Sequence, residues 1–158
     1  MPDREKTVFD LGPDSPLTPA VRAFRGTLLL AQRLRYLMDE RLRADGLTTQ
    51  QAALLTAVRA LDRPALTEAA AALGTTHQNA AQLVAVLERK GMLRTEPDPD
   101  DRRRRRLVPT EEGARYWRDR DAGDEDAVAA WFGALAPDEL ATLNELVERT
   151  LTGLPRRD

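Results

Sequence analysis

From Val21 onward, apolar residues return at every third or fourth position. Val21, Phe24, Leu28, Ala31, Leu34, Met38 and Leu42 form one stripe over about seven helical turns, and Gly46 ends it. A stripe that long calls for a large surface to cover it. The next segment, LTTQQAALLTAVRAL, opens with a capping box, Thr48 and Gln51. Leu54, Leu55, Val58 and Leu61 are its predicted inner face, and Asp62, Arg63 and Pro64 break it. Two short helical patterns follow, LTEAAAALG and TTHQNAAQLVAVLERKG. Thr67 is the predicted cap of the first, and Thr75 or Thr76 of the second. Gly74 stands where a helix end needs a left-handed residue. In the second helix Ala80, Leu83, Val84 and Leu87 share one face, with Gln78, Asn79, Gln82 and Arg89 mostly on the other.

After Gly91 the period changes. A strand is predicted from Met92 to about Glu96, then a turn at PDPDD, then a returning strand through the arginine run and LVP. Thr110 is placed to cap a further helix, with Glu111 and Glu112 in its first turn, where the helix dipole favours acids. That helix is predicted to reach Leu135, with a soft spot at Gly123. Pro137 suits the first turn of a last helix, whose stripe is Leu140, Leu143, Leu146, Val147 and Leu151. A helix–corner–helix followed directly by a β-hairpin is a winged helix-turn-helix. The predicted class is mainly α with a small β-hairpin wing.

Composition narrows the chemistry. At 158 residues with 42% hydrophobic and 32% charged residues, one globular domain is expected. There is no cysteine and one histidine, His77, so disulfides, thiol redox sensing and Cys- or His-rich metal sites are excluded, and neither metal nor cofactor is expected. No phosphate-cradling glycine loop or plausible nucleophile–histidine set appears, so an enzyme is not expected. No apolar run has the length of a membrane span, and the acidic, proline-bearing start does not read as a signal peptide. Residues 1–16 are expected to be a flexible tail, and the protein to be cytoplasmic.

Against a net charge of −2, the stretch 98–113, DPDDRRRRRLVPTEEG, sets five arginines side by side behind Asp98, Asp100 and Asp101. On an extended strand Arg102, Arg104 and Arg106 would face one way, and Arg103 and Arg105 the other. Five unpaired guanidinium groups cannot be buried, so this hairpin must stand in solvent or against a polyanion. A solvated, self-neutralised charge run is the bland alternative. The position directly after a helix–corner–helix favours nucleic-acid phosphate, which arginine suits in bidentate fashion. Gln78, Asn79 and Gln82 near a helix start add side chains able to bond an adenine edge, beside small residues Ala81 and Ala85. The reading helix carries no Arg or Lys before Arg89. Base contacts would therefore supply specificity, and the hairpin the salt-sensitive affinity.

From Leu47 to Gly113 the chain resembles the MarR family of bacterial winged-helix transcription regulators. The resemblance is carried by LTTQQAALL, LTEAAAALG, LERKGML and above all DPDDRRRRRLVPTEEG. The family pattern is Asp, any residue, Arg, five residues, Leu-Thr, then Glu-x-Gly, and Asp101, Arg103, Thr110 and Gly113 fall on it. The segment LAPDELATLNELVERTL resembles the family's last helix. The resemblance implies an obligate-type homodimer, with 17–46 and 111–154 as helical dimerisation region and 47–110 as the DNA-binding winged helix. It implies a recognition helix beginning at Thr76, His77, Gln78, Asn79 and Gln82 in the major groove of near-palindromic double-stranded DNA. It also implies a wing, Asp101, Arg102, Arg103 and Arg104, with Arg103 in the minor groove and Asp101 holding it. A ligand-responsive repressor is the expected function, with Tyr36 and Trp117 as candidate pocket residues for a small aromatic effector. The alternative is a winged helix that binds protein rather than DNA. Pro109 replaces the family's usual leucine and Arg105 and Arg106 its usual apolar residues, so a shorter and more cationic wing is expected.

Overall fold

The structure, a computed structural model, describes residues 10–155, without the side chains of residues 121 and 122. The expected tail therefore lies outside the described residues over 1–9. Residues 10–16 form turns, where Arg22 donates to the carbonyls of Gly12 and Pro13 at 3.0 and 3.3 Å.

The elements are α1 (Pro19–Leu42), α2 (Thr49–Ala60), α3 (Leu66–Ala72), α4 (His77–Arg89), β1 (Leu93–Pro97), β2 (Arg105–Pro109), α5 (Glu111–Trp131) and α6 (Pro137–Gly153). The fold is mainly helical with one antiparallel hairpin, as the periodicity predicts. The chain divides into two compact units that part within α2, between Ala52 and Ala53. Among the described residues no helix is long and apolar enough to cross a membrane.

Four of the described helices start on a threonine hydroxyl. Thr18, Thr76 and Thr110 accept from the N–H groups of Val21, Asn79 and Gly113 at 3.4, 3.2 and 3.1 Å. The Thr48–Gln51 box forms in both directions, at 3.3 and 3.4 Å. The predicted cap at Thr67 does not form, because α3 begins two residues earlier in register. Ala65 is its N-cap residue, and the Glu68 carboxylate accepts the Ala65 N–H at 2.6 Å. Glu139 does the same for Ala136 at the start of α6, at 2.8 Å.

In the second unit Leu54, Leu55, Val58, Ala69, Ala80, Leu87, Leu93 and Leu107 are buried, and they make its core. Leu61, predicted on the inner face of α2, is exposed instead. It lies past the end of the helix, before a corner where Asp62 and Arg63 both take positive φ, 47° and 61°. Two left-handed L-residues in succession are costly. Arg63 is held there by an ion pair with Glu96 at 2.8 Å. Helix α5 stops at Trp131, short of Leu135, and runs through Gly123 without a break. The residue before Pro137 is pushed to an extended backbone (Ala136, ψ 159°), so α5 and α6 cannot be continuous.

The hairpin pairs Leu93 with Pro109 through to Pro97 with Arg105. Pro109 does not shorten it: proline takes the last place of β2, and the Thr110 N–H continues to the Met92 carbonyl at 3.1 Å. A third short piece of backbone joins in. Ala65 bridges Arg106, and the Leu107 N–H donates to the Pro64 carbonyl at 2.9 Å. Helix α5 then starts directly against Met92. A Cβ built on Gly113 would stand 2.2 Å from the Met92 carbonyl oxygen, so only glycine fits.

Gly113→Ala is expected to destabilise the fold by roughly 1–3 kcal/mol, because α5 must back away from the hairpin. Urea unfolding reads this directly. A midpoint equal to the parent's would mean that the contact is not tight.

Candidate nucleic-acid interface

The helix–corner–helix turns at Gly74 (φ 61°), where the N–H groups of Gly74 and Thr75 return to the carbonyls of Ala71 and Ala70, both at 3.1 Å. Helix α4 buries Ala80, Val84 and Leu87. Its opposite face carries Gln78, Gln82, Ala85 and Arg89 at spacings of three and four, all exposed. His77 is exposed beside them. Thr76 and Asn79 stand differently. The Thr76 hydroxyl is the helix cap, and Asn79 is half-buried with its Nδ2 donating to the Thr75 hydroxyl at 2.7 Å. Asn79 thus stiffens the helix start, and the outward amides are Gln78 and Gln82.

The five arginines do not form one strand. Only Arg105 and Arg106 lie in β2, while Arg102, Arg103 and Arg104 belong to the turn, so the alternation predicted along the run does not hold there. Arg106 is half-buried and donates from Nε to Asp98 Oδ2 at 2.6 Å and from a terminal nitrogen to Glu68 at 3.1 Å. Arg105 reaches across to the Thr95 carbonyl at 3.0 Å. Arg104 lies 3.7 Å from Asp101 as a loose, exposed pair. The side chains of Arg102 and Arg103 are exposed and make no ion pair or hydrogen bond among the described residues.

Asp101 acts on the backbone. Its carboxylate accepts the Arg103 N–H at 3.0 Å, and its carbonyl accepts the Arg104 N–H at 2.8 Å. It fixes the turn on which Arg103 stands rather than gripping the Arg103 guanidinium. The residue that composition alone undervalues is Asp98, whose side chain is only 5% exposed. One of its oxygens accepts the N–H groups of Asp100 and Asp101 at 2.8 and 3.4 Å, and the other accepts Arg106. The Asp100 N–H and the Arg106 guanidinium hold the Asp98 carboxyl below the usual carboxylate range, against the opposing effect of burial. On the other strand Arg94, with Arg63, holds Glu96 low in the same way. The Thr95 hydroxyl donates to Glu88 at 2.6 Å, tying β1 to α4.

The signals for these residues were present. An aspartate two and three residues before exposed N–H groups is an Asx turn. A glutamate at the third position of α3 is a cap. What no spacing reveals is that Arg106 joins the two.

Of the candidate pocket residues, Tyr36 is exposed and lines a depression of about 300 Å³ with Gln32, Arg35, Asp39, Thr48 and Gln50. Trp117 lines a separate cavity of about 370 Å³ with Thr56, Arg59 and Ala60. Its Nε1 is buried and has no hydrogen-bond partner among the described residues. Among those residues no group of three or more His, Cys, Asp or Glu side chains could hold a metal.

Residues 45–104 match the family profile described as MarR family. A MarR family transcriptional regulator of Streptomyces coelicolor, solved in complex with DNA, superposes with a TM-score of 0.78. It is 29% identical over 88% of this chain and 94% of its own. Over residues 45–104 the chain resembles the MarR family, and it shares the fold of that Streptomyces coelicolor regulator. The transcriptional activatory protein BadR of Rhodopseudomonas palustris is 28% identical over 85% of this chain and 77% of its own. PcaV, a transcriptional regulator of Streptomyces coelicolor solved with its natural ligand, has a TM-score of 0.67 and 28% identity over 78% of this chain and 90% of its own.

Asp98→Asn is expected to loosen the wing. The folded-state carboxyl is held low, so its contribution is complete above the ordinary aspartate value of about 3.9 and is lost as pH falls through the lowered one. The stability gap between parent and variant should be level from pH 8 to 5 and close only in stronger acid. A gap that already closes between pH 7 and 5 would contradict the assignment.

Proposed function

We propose that this chain is a transcriptional regulator that binds double-stranded DNA as a homodimer. Gln78 and Gln82 of each copy read the major groove, and Arg102 and Arg103 of each wing reach the phosphates and the minor groove. The observation that carries this reading is the pair of unpartnered guanidinium groups on an anchored turn, beside an exposed amide face of α4. Thr76 and Asn79 support that face, His77 flanks it, and Asp101 and Arg104 shape the tip. The Streptomyces coelicolor relative, solved in complex with DNA, supports DNA as the partner. A wing kept only for solubility has no reason to be so firmly built.

The homodimer rests on uncovered apolar faces. Val21, Phe24 and Leu28 of α1 and Leu146, Val147 and Leu151 of α6 are exposed in the single chain, and α6 buries no residue at all. Stripes of this size on a transcriptional regulator are subunit interfaces. The relative named as an activatory protein makes activation a second reading beside repression. Action on DNA makes the cytoplasm the working compartment.

A titration with promoter DNA upstream of the protein's own gene, at two salt concentrations, tests the reading. Two chains per operator are expected by sedimentation. Each engaged phosphate adds about −0.9 to the salt slope, so Arg103→Ala should flatten it by about two per dimer and weaken binding to every sequence. Gln82→Ala should cost about 1–3 kcal/mol at one operator position and little on random DNA. An unchanged slope, equal losses on random DNA, or one chain per complex would each contradict it. A winged helix serving only as a protein-binding module would have no salt-dependent DNA affinity.

We also infer a small aromatic effector in the Trp117 cavity. The orphaned indole N–H needs an acceptor, so a phenolic acid whose carboxylate or hydroxyl faces Trp117 fits best. PcaV, a transcriptional regulator solved with its natural ligand, supports the reading that a ligand binds here. Phenolic acids should lower operator affinity in the parent. In Trp117→Phe the response should fall at least tenfold in effector concentration, and an undiminished response would place the effector elsewhere.

A further inference from the structure

The wing is a two-stranded hairpin, and such a hairpin has little rigidity of its own. Its distance from α4 nevertheless decides whether tip and reading helix can engage one duplex together. Backbone contacts at Pro64 and Ala65 hold the base of β2, but they stop at Arg106. Beyond that point the hairpin's backbone bonds only to itself, and side chains tie it to the rest of the unit.

Arg106 stands at the junction. Its Nε arm donates to Asp98, whose other oxygen gathers the N–H groups of Asp100 and Asp101 at the start of the tip turn. Its terminal nitrogen reaches Glu68, which is at the same time the cap of α3. The two arms are unequal. Asp98 is 5% exposed and Glu68 57%, so the Asp98 arm is shielded from water and the Glu68 arm is screened. Lysine could not serve both, because a point charge lacks the fork of the guanidinium.

We propose that Arg106 is a positioning residue for DNA recognition, coupling the turn that carries Arg102 and Arg103 to the N-terminus of α3 and so fixing where the tip stands relative to the reading helix. Arg106 itself touches no DNA. It decides whether Arg103 can. This inference rests on the DNA-binding reading above.

A double-mutant cycle between Arg103 and Arg106 tests it, because an anchor and the group it presents are not additive. The full-length parent, Arg103→Ala, Arg106→Met and the double variant are titrated with operator, alongside thermal melts. In the parent background Arg103→Ala is expected to weaken binding about tenfold. In the Arg106→Met background it should cost about twofold or less, with the salt slope already near that of Arg103→Ala. Arg106→Lys keeps the charge and guards against a variant that fails to fold. It too should shrink the Arg103→Ala penalty. A full tenfold penalty in both Arg106 backgrounds overturns the inference while leaving DNA binding intact. A parent that binds no duplex overturns both.

Discussion

A guanidinium group at the edge of a small core must be paired, and a carboxylate withdrawn from water must be hydrogen-bonded. Asp98 and Arg106 meet both demands with one contact of 2.6 Å, and much of the wing follows from it. Asp98 can be 5% exposed because Arg106 and two backbone N–H groups satisfy it. The turn from Asp98 to Arg104 closes because the Asp98 N–H also bonds the Arg104 carbonyl at 2.9 Å. With that turn closed, Asp101 can cap the Arg103 backbone, and Arg102 and Arg103 project without partners.

This divides the arginine run by task. Arg106 holds the hairpin, Arg105 staples the strands, Arg104 leans on Asp101, and Arg102 and Arg103 face outward. A chain of net charge −2 has no general attraction for a polyanion, so positive charge must be concentrated and aimed. The α4 face contributes neutral amides at Gln78 and Gln82 and only Arg89 as a cation. Affinity and specificity thus reside in different elements, and the geometry between them matters as much as either.

The order of elements was legible because each boundary has a chemical mark. Thr76 and Thr110 cap where they were expected to, Gly74 takes its left-handed backbone, and Pro137 opens α6. The misreadings have one cause: a local pattern was extended past a tertiary constraint. Leu61 continues the α2 stripe in sequence, but the Asp62–Arg63 corner has already turned the chain. Thr67 resembles a cap, yet the Ala65–Arg106 bridge sets where α3 begins. Alternation along five arginines assumed a strand that starts only at Arg105. The exposed half of the candidate site, Gln78, Gln82, Arg102 and Arg103, could be named from residue type and position. Asp98 as a turn former and Glu68 as a cap are local patterns too, but the Arg106 link that joins them could not be named, since its contact with Glu68 spans 38 residues.

Arginine Nε–H exchange followed by NMR separates anchoring from presenting side chains most directly. In the free protein the Arg106 Nε–H should be protected, while those of Arg102 and Arg103 exchange at the rate of a solvated guanidinium. Adding operator DNA should slow Arg103 and leave Arg106 unchanged. Equal exchange for all the wing arginines before DNA is added, or protection that appears at Arg106 only on binding, would contradict the division of the run into anchor and hand.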